Sequence, residues 1–239
     1  MSEHDSKFYS GHRDRLRQKF LDGKLVDYEK LELLLGYAIP RRDTRPLAHA
    51  LIKRFGSLPQ VLTAQIDDLL AFPGIGHNTA VFLKLVQDIV LSGYRATMDT
   101  RPIFHDIKFM LDYCWWTFAN KPVEEFHVLY LDSDFRLLQD QLHSSGTYNT
   151  TGVYVREIIK TALKLNATSV VLVHNHPASD NSFSNDDIEA TEEIEKIFND
   201  LDISLFDHFL VTKHMIYSGR DLGIVHGPRK RNPNSNHQN

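Results

Sequence analysis

The feature that most constrains the fold is a short apolar run that ends in a pair of histidines. Residues 169–173, SVVLV, predict a buried β-strand because they are apolar and β-branched almost without interruption. His174, Asn175 and His176 follow directly, and Pro177 then ends the strand because it has no backbone N–H to donate. Since side chains alternate along a strand, the two imidazoles can point the same way and share one metal ion.

A helix start after this strand offers a third ligand. The histidine pair alone is not specific, since the 13 histidines of the chain would give roughly 0.7 such pairs by chance. However, the pair lies at a strand end, where α/β proteins commonly bind ligands. Ser184 has the character of a helix N-cap with Asp187 three positions later. A plain capping box is one interpretation, and a carboxylate directed at the histidines is the other.

Two imidazoles, one carboxylate and an open fourth position are typical of a catalytic zinc site. A structural site would usually close that position with another ligand, often cysteine, and the single cysteine, Cys114, lies far upstream. Water activated at a zinc ion also needs a general base from elsewhere in the fold. Glu124 and Glu125, at the start of an earlier strand, are the candidates, and a solvated strand flank is the alternative for both.

The remaining pattern divides the chain into two parts. From Ser10 to Tyr94, apolar residues recur at intervals of three and four, which predicts helices. Breaks are expected at Gly23, Gly36, Pro40, Pro59 and Pro73. Residues 92–102, SGYRATMDTRP, lose this pattern and predict a linker. We therefore expect a helical domain at residues 1–98 and a second domain at residues 102–224.

The second part predicts a mixed α/β domain. Helices are expected at residues 103–119, 154–165 and 185–200, and strands at residues 126–132, 137–143, 169–173 and 205–212, the first two as a hairpin. The predicted fold class is therefore α+β, a helical domain followed by a mixed α/β domain. Residues 225–239 carry too little apolar content to fold and are expected to form a disordered tail.

Composition limits the compartment and the partners. Residues 1–18 show no basic segment followed by an apolar stretch, no apolar run is long enough to span a membrane, and one cysteine cannot form an internal disulfide. We therefore expect a cytoplasmic protein without membrane contact, and the oligomeric state stays open. Residues 1–100 carry a net charge of +2 and the remainder −6, which suggests that the two parts have different partners.

A glycine turn in the first part resembles a helix-hairpin-helix DNA-binding element. Residues 70–80 read LAFPGIGHNTA, and a G-x-G turn lets a phosphate approach backbone amides closely. Lys84 is the only base close after the turn, so a tight turn between packed helices is the alternative. Additional phosphate contacts would come from Arg13, Arg15, Arg17, Arg41, Arg42 and Arg45, which are otherwise a solvated charged face.

The segment HNHP, followed after Phe183 by S-x-x-D, resembles the metal motif of the JAMM (MPN+) metalloproteases. More widely, GHRDRLRQKF, YEKLELLLGYAIPRRDTRPLAHALIKRFGSL and residues 124–218 resemble the bacterial RadC family. The resemblance implies that His174, His176 and Asp187 bind one zinc ion per chain. It also implies that Ser184 stabilises the tetrahedral intermediate and that Glu124, in E-x-F-x-V-x-x-L-D, is the catalytic glutamate.

The sequence departs from this family pattern around the site. Phe183 stands where the family usually has proline, Tyr154 and Val155 begin the segment that is usually HPRE, and Ala178-Ser179 replaces SG. These changes spare the ligands and concern the substrate-facing loop. Two further histidines have their own expectations: His208 either orients a metal ligand or is a satisfied core histidine, and His77 is expected at the surface.

Three functions follow from these observations. The leading hypothesis is a zinc metallohydrolase that cleaves a peptide or isopeptide bond. The alternative is a DNA-associated repair or processing factor whose second domain is a zinc-binding module without peptidase activity. Hydrolysis of a phosphodiester is the third, because metal chemistry alone does not select the substrate.

Overall fold

The computed structural model describes residues 3–102, 107–146, 151–177 and 182–227, with side chains described from Gly11 onward and, after residue 150, from Val155 onward. The helices of these residues are α1 (Glu3–Leu21), α2 (Asp27–Ala38), α3 (Arg45–Phe55), α4 (Leu58–Thr63), α5 (Ile66–Leu70), α6 (His77–Thr100), α7 (Ile107–Phe118), α8 (Thr151–Leu165) and α9 (Asn185–Asp200). The strands are β1 (Glu125–Leu131), β2 (Leu137–Ser145), β3 (Ser169–Asn175), β4 (Ser204–Val211) and β5 (Ile216–Ser218). A helical region followed by a mixed sheet with helices confirms the predicted α+β class.

The chain forms two compact units, Met1–Val90 and Leu91–Asn239. The first unit is built from helices around fully buried leucines such as Leu31, Leu35 and Leu51. Two predicted breaks are wrong. Gly36 lies inside α2, and Pro59 lies in the first turn of α4, where its missing N–H has no intrahelical partner to lose.

The predicted linker at residues 92–102 is also wrong, because α6 continues to Thr100. Leu91, Tyr94 and Met98 recur at intervals of three and four and pack into the core of the second unit. The small and polar residues between them hide this pattern in the sequence. The division between the units therefore falls inside α6, earlier than the predicted domain boundary at residue 98.

The second unit contains a five-stranded mixed sheet in the order β2-β1-β3-β4-β5. β1 and β2 form the predicted antiparallel hairpin, β3 runs antiparallel to β1 and parallel to β4, and β5 pairs antiparallel with β4. β5 was not predicted, since three residues are too few to show an alternating pattern.

Helices cover both faces of this sheet. On one face, called here the α7 face, Leu129, Val171 and Val173 pack with residues of α7 and the end of α6. On the other, called the α8–α9 face, Val128 and Leu172 pack with residues of α8 and α9. β3 is buried along its whole length, which explains its unbroken apolar sequence.

The carboxyl-terminal residues fold further than predicted. Val225 is buried on the α8–α9 face, and the backbone N–H groups of His226 and Gly227 donate to Glu195 at 2.9 and 2.7 Å. The rest of the expected tail, residues 228–239, lies outside the described residues, as do residues 103–106, with which the helix predicted at residues 103–119 begins. No helix in the described ranges is long and apolar enough to cross a membrane.

Candidate metal centre

The three ligands predicted from the sequence come from two elements. His174 lies near the end of β3, and the backbone N–H of His176 continues the ladder by donating to Val211 at 3.1 Å. Asp187 lies in the first turn of α9, which begins at the predicted N-cap Ser184. The strand end and the helix start therefore meet at one point on the α8–α9 face.

The ligand atoms have the spacing of a tetrahedral site. His174 Nε2 lies 3.2 Å from His176 Nε2 and 3.5 Å from Asp187 Oδ2, and His176 Nε2 lies 3.7 Å from the same oxygen. Ligands about 2.0–2.2 Å from a zinc ion at tetrahedral angles are separated by about 3.3–3.6 Å. In the described part of the chain, these three residues are the group of histidine and acidic side chains that converges in this way. The residues therefore fit zinc.

Ser184 holds the Asp187 carboxylate in place. Its backbone N–H and its Oγ donate to Asp187 Oδ2 at 2.8 and 2.7 Å, while the Asp187 N–H donates back to Ser184 Oγ at 3.1 Å. Burial acts to raise the pKa of Asp187, but its interactions with His174 and these hydrogen bonds outweigh burial and lower that pKa. The carboxylate is charged, and the capping box and the ligand geometry predicted as alternatives occur together.

A second layer of buried groups supports His174. His174 Nδ1 lies 2.8 Å from His208 Nε2, and His208 Nδ1 lies 2.6 Å from Thr191 Oγ1. Burial, followed by repulsion from His174, lowers the pKa of His208 well below its ordinary value. His208 is therefore a neutral core histidine, and its contact with His174 leaves the orientation of a metal ligand as a prediction. Thr191 was missed, although its position four residues after Asp187 on one helix face was a usable signal.

Two phenylalanine rings contact His174 and His208. The ring of Phe183 lies edge-on at 5.5 Å from His174 and 5.0 Å from His208, and Phe126 lies edge-on at 6.0 Å from His208. Phe183 thus fills the place of the usual family proline with a ring that shields the imidazoles from water. Val155 is buried in the core, whereas the Tyr154 side chain and residues 178–181 lie outside the described residues.

The structure separates the two candidate general bases. Phe126 is paired with His174 across β1 and β3, and its side chain packs on the α8–α9 face. Glu124, two residues earlier, belongs to the same face by strand alternation, and continuing the register sets it opposite His176. Glu125 belongs to the α7 face, where its carboxylate contacts Lys121 at 3.0 Å. Alternation therefore favours Glu124 for the site, and its catalytic role stays a prediction.

Asn175 joins the two strands at this point. Its side-chain oxygen accepts from the Glu125 N–H at 2.9 Å, and its amide nitrogen donates to the Val123 carbonyl at 3.1 Å. Both contacts are to backbone groups that flank Glu124. The asparagine between the two histidines therefore fixes the segment that carries the candidate base relative to the strand that carries the ligands.

The glycine turn of the first unit lies between α5 and α6, as predicted. Gly74 has φ +95°, and an added Cβ at Gly76 would meet nothing within 4 Å, so backbone there is open to approach. Lys84 instead donates to the carbonyls of Leu62 and Ala64 at 3.2 and 2.9 Å. His77 is exposed, as predicted.

The arginines named with this turn include three that contact other groups of the helical unit. Arg13 donates to the Arg42 carbonyl at 2.6 Å, Arg17 contacts Asp14 at 2.6 Å, and Arg45 contacts His12 at 3.0 Å. These contacts give three of the six arginines a structural role within the helical unit. The expectation of DNA contact is neither strengthened nor removed by them.

Comparison with known proteins agrees with the architecture. The family model described as the RadC-like JAB domain matches residues 104–224. The UPF0758 protein SPO0054 of Ruegeria pomeroyi is 39% identical over 217 residues, which is 90% of this chain and 97% of that protein. The matched domain contains the whole candidate centre, and the similarity to the relative extends well into the helical unit.

Proposed function

The chain belongs to the RadC family, and from this membership and the geometry of the candidate centre we propose that it is a zinc-dependent hydrolase of amide bonds. The observation that carries the proposal is the convergence of two imidazole nitrogens and one carboxylate oxygen at separations of 3.2, 3.5 and 3.7 Å. Such a set leaves room for a non-protein ligand, as in catalytic zinc sites. A RadC-like JAB domain supports a metal-dependent hydrolase in general, and the amide substrate is our addition.

Each residue has a defined task in this proposal. His174, His176 and Asp187 would hold the zinc ion, which supplies a Lewis acid that activates water and polarises the scissile carbonyl. Glu124 accepts the proton of the attacking water and passes it to the leaving amine. The Ser184 hydroxyl donates to Asp187 in this structure, so its predicted role at the oxyanion requires rotation toward the substrate.

The test compares neighbouring glutamates on opposite faces of the sheet. Wild type, Glu124→Gln and the matched control Glu125→Gln are loaded with zinc and assayed on a fluorescence-quenched peptide library and a matching library with Nε-acyl-lysine linkages. We expect hydrolysis to fall about 10²–10⁴-fold in Glu124→Gln and to persist in Glu125→Gln, with zinc bound in all three. Zinc-loaded wild type that cleaves neither library, or that cleaves bis(4-nitrophenyl) phosphate instead, would contradict the amide substrate.

A second candidate function rests on the open glycine turn of the helical unit. We propose it as a DNA-backbone contact of a repair or processing factor, since an added Cβ at Gly76 would meet nothing within 4 Å and a phosphate can approach the backbone there. Wild type and Gly76→Val are compared for binding to a labelled duplex at several salt concentrations. Weaker binding of the variant, with a salt-dependent affinity in wild type, would support this function. Equal binding by both proteins would exclude the glycine turn as a DNA contact.

A further inference from the structure

A buried chain of hydrogen bonds connects two of the candidate zinc ligands behind the site. Thr191 Oγ1 lies 2.5 Å from the Asp187 backbone carbonyl and 2.6 Å from His208 Nδ1, and His208 Nε2 lies 2.8 Å from His174 Nδ1. Thr191 is 0% exposed, and both histidines are 1% exposed. Water is therefore a poor substitute partner, and these groups must satisfy one another.

The Asp187 carbonyl at one end fixes the donor and the acceptor of every hydrogen bond in this series. A carbonyl oxygen can only accept, so the single hydroxyl proton of Thr191 is donated to Asp187. Thr191 Oγ1 must then accept from His208, which places the His208 proton on Nδ1. A neutral imidazole carries one N–H, so His208 Nε2 accepts and His174 must donate from Nδ1.

These hydrogen bonds determine whether the candidate ligand atom, His174 Nε2, carries a proton. With its proton on Nδ1, a neutral His174 has an unprotonated Nε2, and this is the atom that lies 3.2 Å from His176 Nε2. In the metal-free protein, His174 Nε2 can accept a hydrogen bond from the His176 Nε2–H. With zinc present, the same lone pair is available for coordination.

We propose that Thr191 and His208 are positioning residues that fix the tautomer of His174 and so present its Nε2 lone pair to the metal. The inference rests on the proposed zinc site and adds to it the residues that prepare one ligand. It also joins His174 to the backbone of Asp187, so the strand end and the helix start are held by one network.

The first test needs no variant. In metal-free protein labelled with ¹⁵N-histidine, long-range ¹H–¹⁵N spectra distinguish Nδ1–H from Nε2–H tautomers. We expect His174 and His208 both to carry the proton on Nδ1. An Nε2–H tautomer at either residue would overturn the proposal, whatever the zinc affinity.

The second test removes the anchoring hydroxyl. Thr191→Val keeps the shape but gives His208 Nδ1 no acceptor, so His208 can donate from Nε2 and push the His174 proton to Nε2. We expect the dissociation constant for zinc, measured by competition with a chromophoric chelator, to rise about 10–100-fold. Thr191→Ser keeps the hydroxyl and should bind zinc as wild type does, which separates the hydrogen bond from packing.

The outcomes separate this inference from the proposed function. Thr191→Val with wild-type zinc affinity and an unchanged His174 tautomer would overturn the positioning role and leave the zinc site intact. Wild type that takes up no zinc would contradict the proposed function, and this inference with it. Weak zinc binding in both Thr191→Val and Thr191→Ser would assign the loss to packing and also overturn the positioning role.

Discussion

Two groups of ionisable side chains, buried or half-buried, flank the same end of β1, one on each face of the sheet. On the α7 face, Lys121 contacts Glu125 at 3.0 Å, Glu125 contacts His127 at 3.2 Å, and His127 contacts Asp140 at 2.7 Å. Tyr113 donates to the same Asp140 carboxylate. On the α8–α9 face, His174, His176 and Asp187 bring lone pairs together instead.

The difference lies in how the charges are matched. Every acidic group of the α7-face network meets a donor or a basic group, so that network is complete without a ligand. The candidate metal centre brings together two imidazoles and one carboxylate, whose converging ligand atoms a cation would join. A cluster of ionisable residues therefore does not identify a metal site by itself, and the convergence of ligand atoms is what supports the proposed one.

The largest contrast is expected from one substitution made on each face. Asp187→Asn should weaken zinc binding by more than about 100-fold, because loss of a group that merely supports a ligand already costs about 10–100-fold. The metal-free protein should lose less than about 1 kcal/mol, since the amide oxygen still accepts from Ser184. Zinc affinity comes from chelator competition and stability from urea unfolding.

Asp140→Asn should behave in the opposite way. Its carboxylate accepts from Tyr113 and contacts His127, and a neutral amide weakens both contacts, so we expect a loss of about 2 kcal/mol in the free energy of unfolding. Zinc affinity should stay within about 3-fold of wild type. Loss of zinc from Asp140→Asn, measured in the same way, would break the distinction between the two faces.

An intermediate effect is expected at Asn175, which joins the strands between the two groups. Asn175→Ala leaves the Glu125 N–H and the Val123 carbonyl without their partner, which should cost about 2 kcal/mol of stability. The segment that carries Glu124 also loses its anchor, so turnover on the peptide library should fall about 10-fold. Zinc affinity should change little. A parallel loss of zinc would show that Asn175 supports the ligands and not the base.

The smallest effect is expected at His143, which lies on the α8–α9 face without being a candidate ligand. Burial, followed by repulsion from His127, lowers its pKa to about 4. The pKa of His143 in the folded protein is below its value of about 6.5 in the unfolded chain. Above pH 6.5 the residue is therefore neutral in both states, and it costs no stability. Stability is lost as the pH falls toward 4.

We expect a loss of about 1–2 kcal/mol over this range, reduced from the full linkage value because the side chain is partly exposed to solvent. His143→Gln should flatten the pH dependence of urea unfolding between pH 6.5 and 4. An unchanged slope would assign the acid sensitivity to other groups.

Much of the fold could be predicted from local patterns. The hairpin, the buried β3 and the bounds of α9 follow from alternation, apolar runs and an N-cap, all of which are short-range signals. The end of α6 could not, because Leu91, Tyr94 and Met98 gain their apolar partners only from the second unit. β5 is stabilised by pairing with β4 and has no pattern of its own.

The residues of the candidate site likewise include some that the sequence predicts and some that it does not. Its candidate ligands could be predicted because His174 and His176 lie two residues apart at one strand end and Asp187 lies in the first turn of the next helix. Thr191 and Asn175 act through contacts that the sequence does not show, apart from the spacing of Thr191 from Asp187, and for His208 the sequence left two interpretations open. The choice between Glu124 and Glu125 is partly predictable from the sequence. Alternation along the strand puts Glu124 on the same face as Phe126, but the pairing of Phe126 with His174 is known only from the structure.

The central claim, that the α8–α9 face is completed by a cation and the α7 face is not, is tested most directly by metal content. Wild type, His176→Ala and His127→Ala are purified without chelator, supplied with zinc and measured by mass spectrometry. We predict about one zinc per chain in wild type and in His127→Ala, and none in His176→Ala. Wild type without zinc, or a His176→Ala variant that keeps it, would contradict the account.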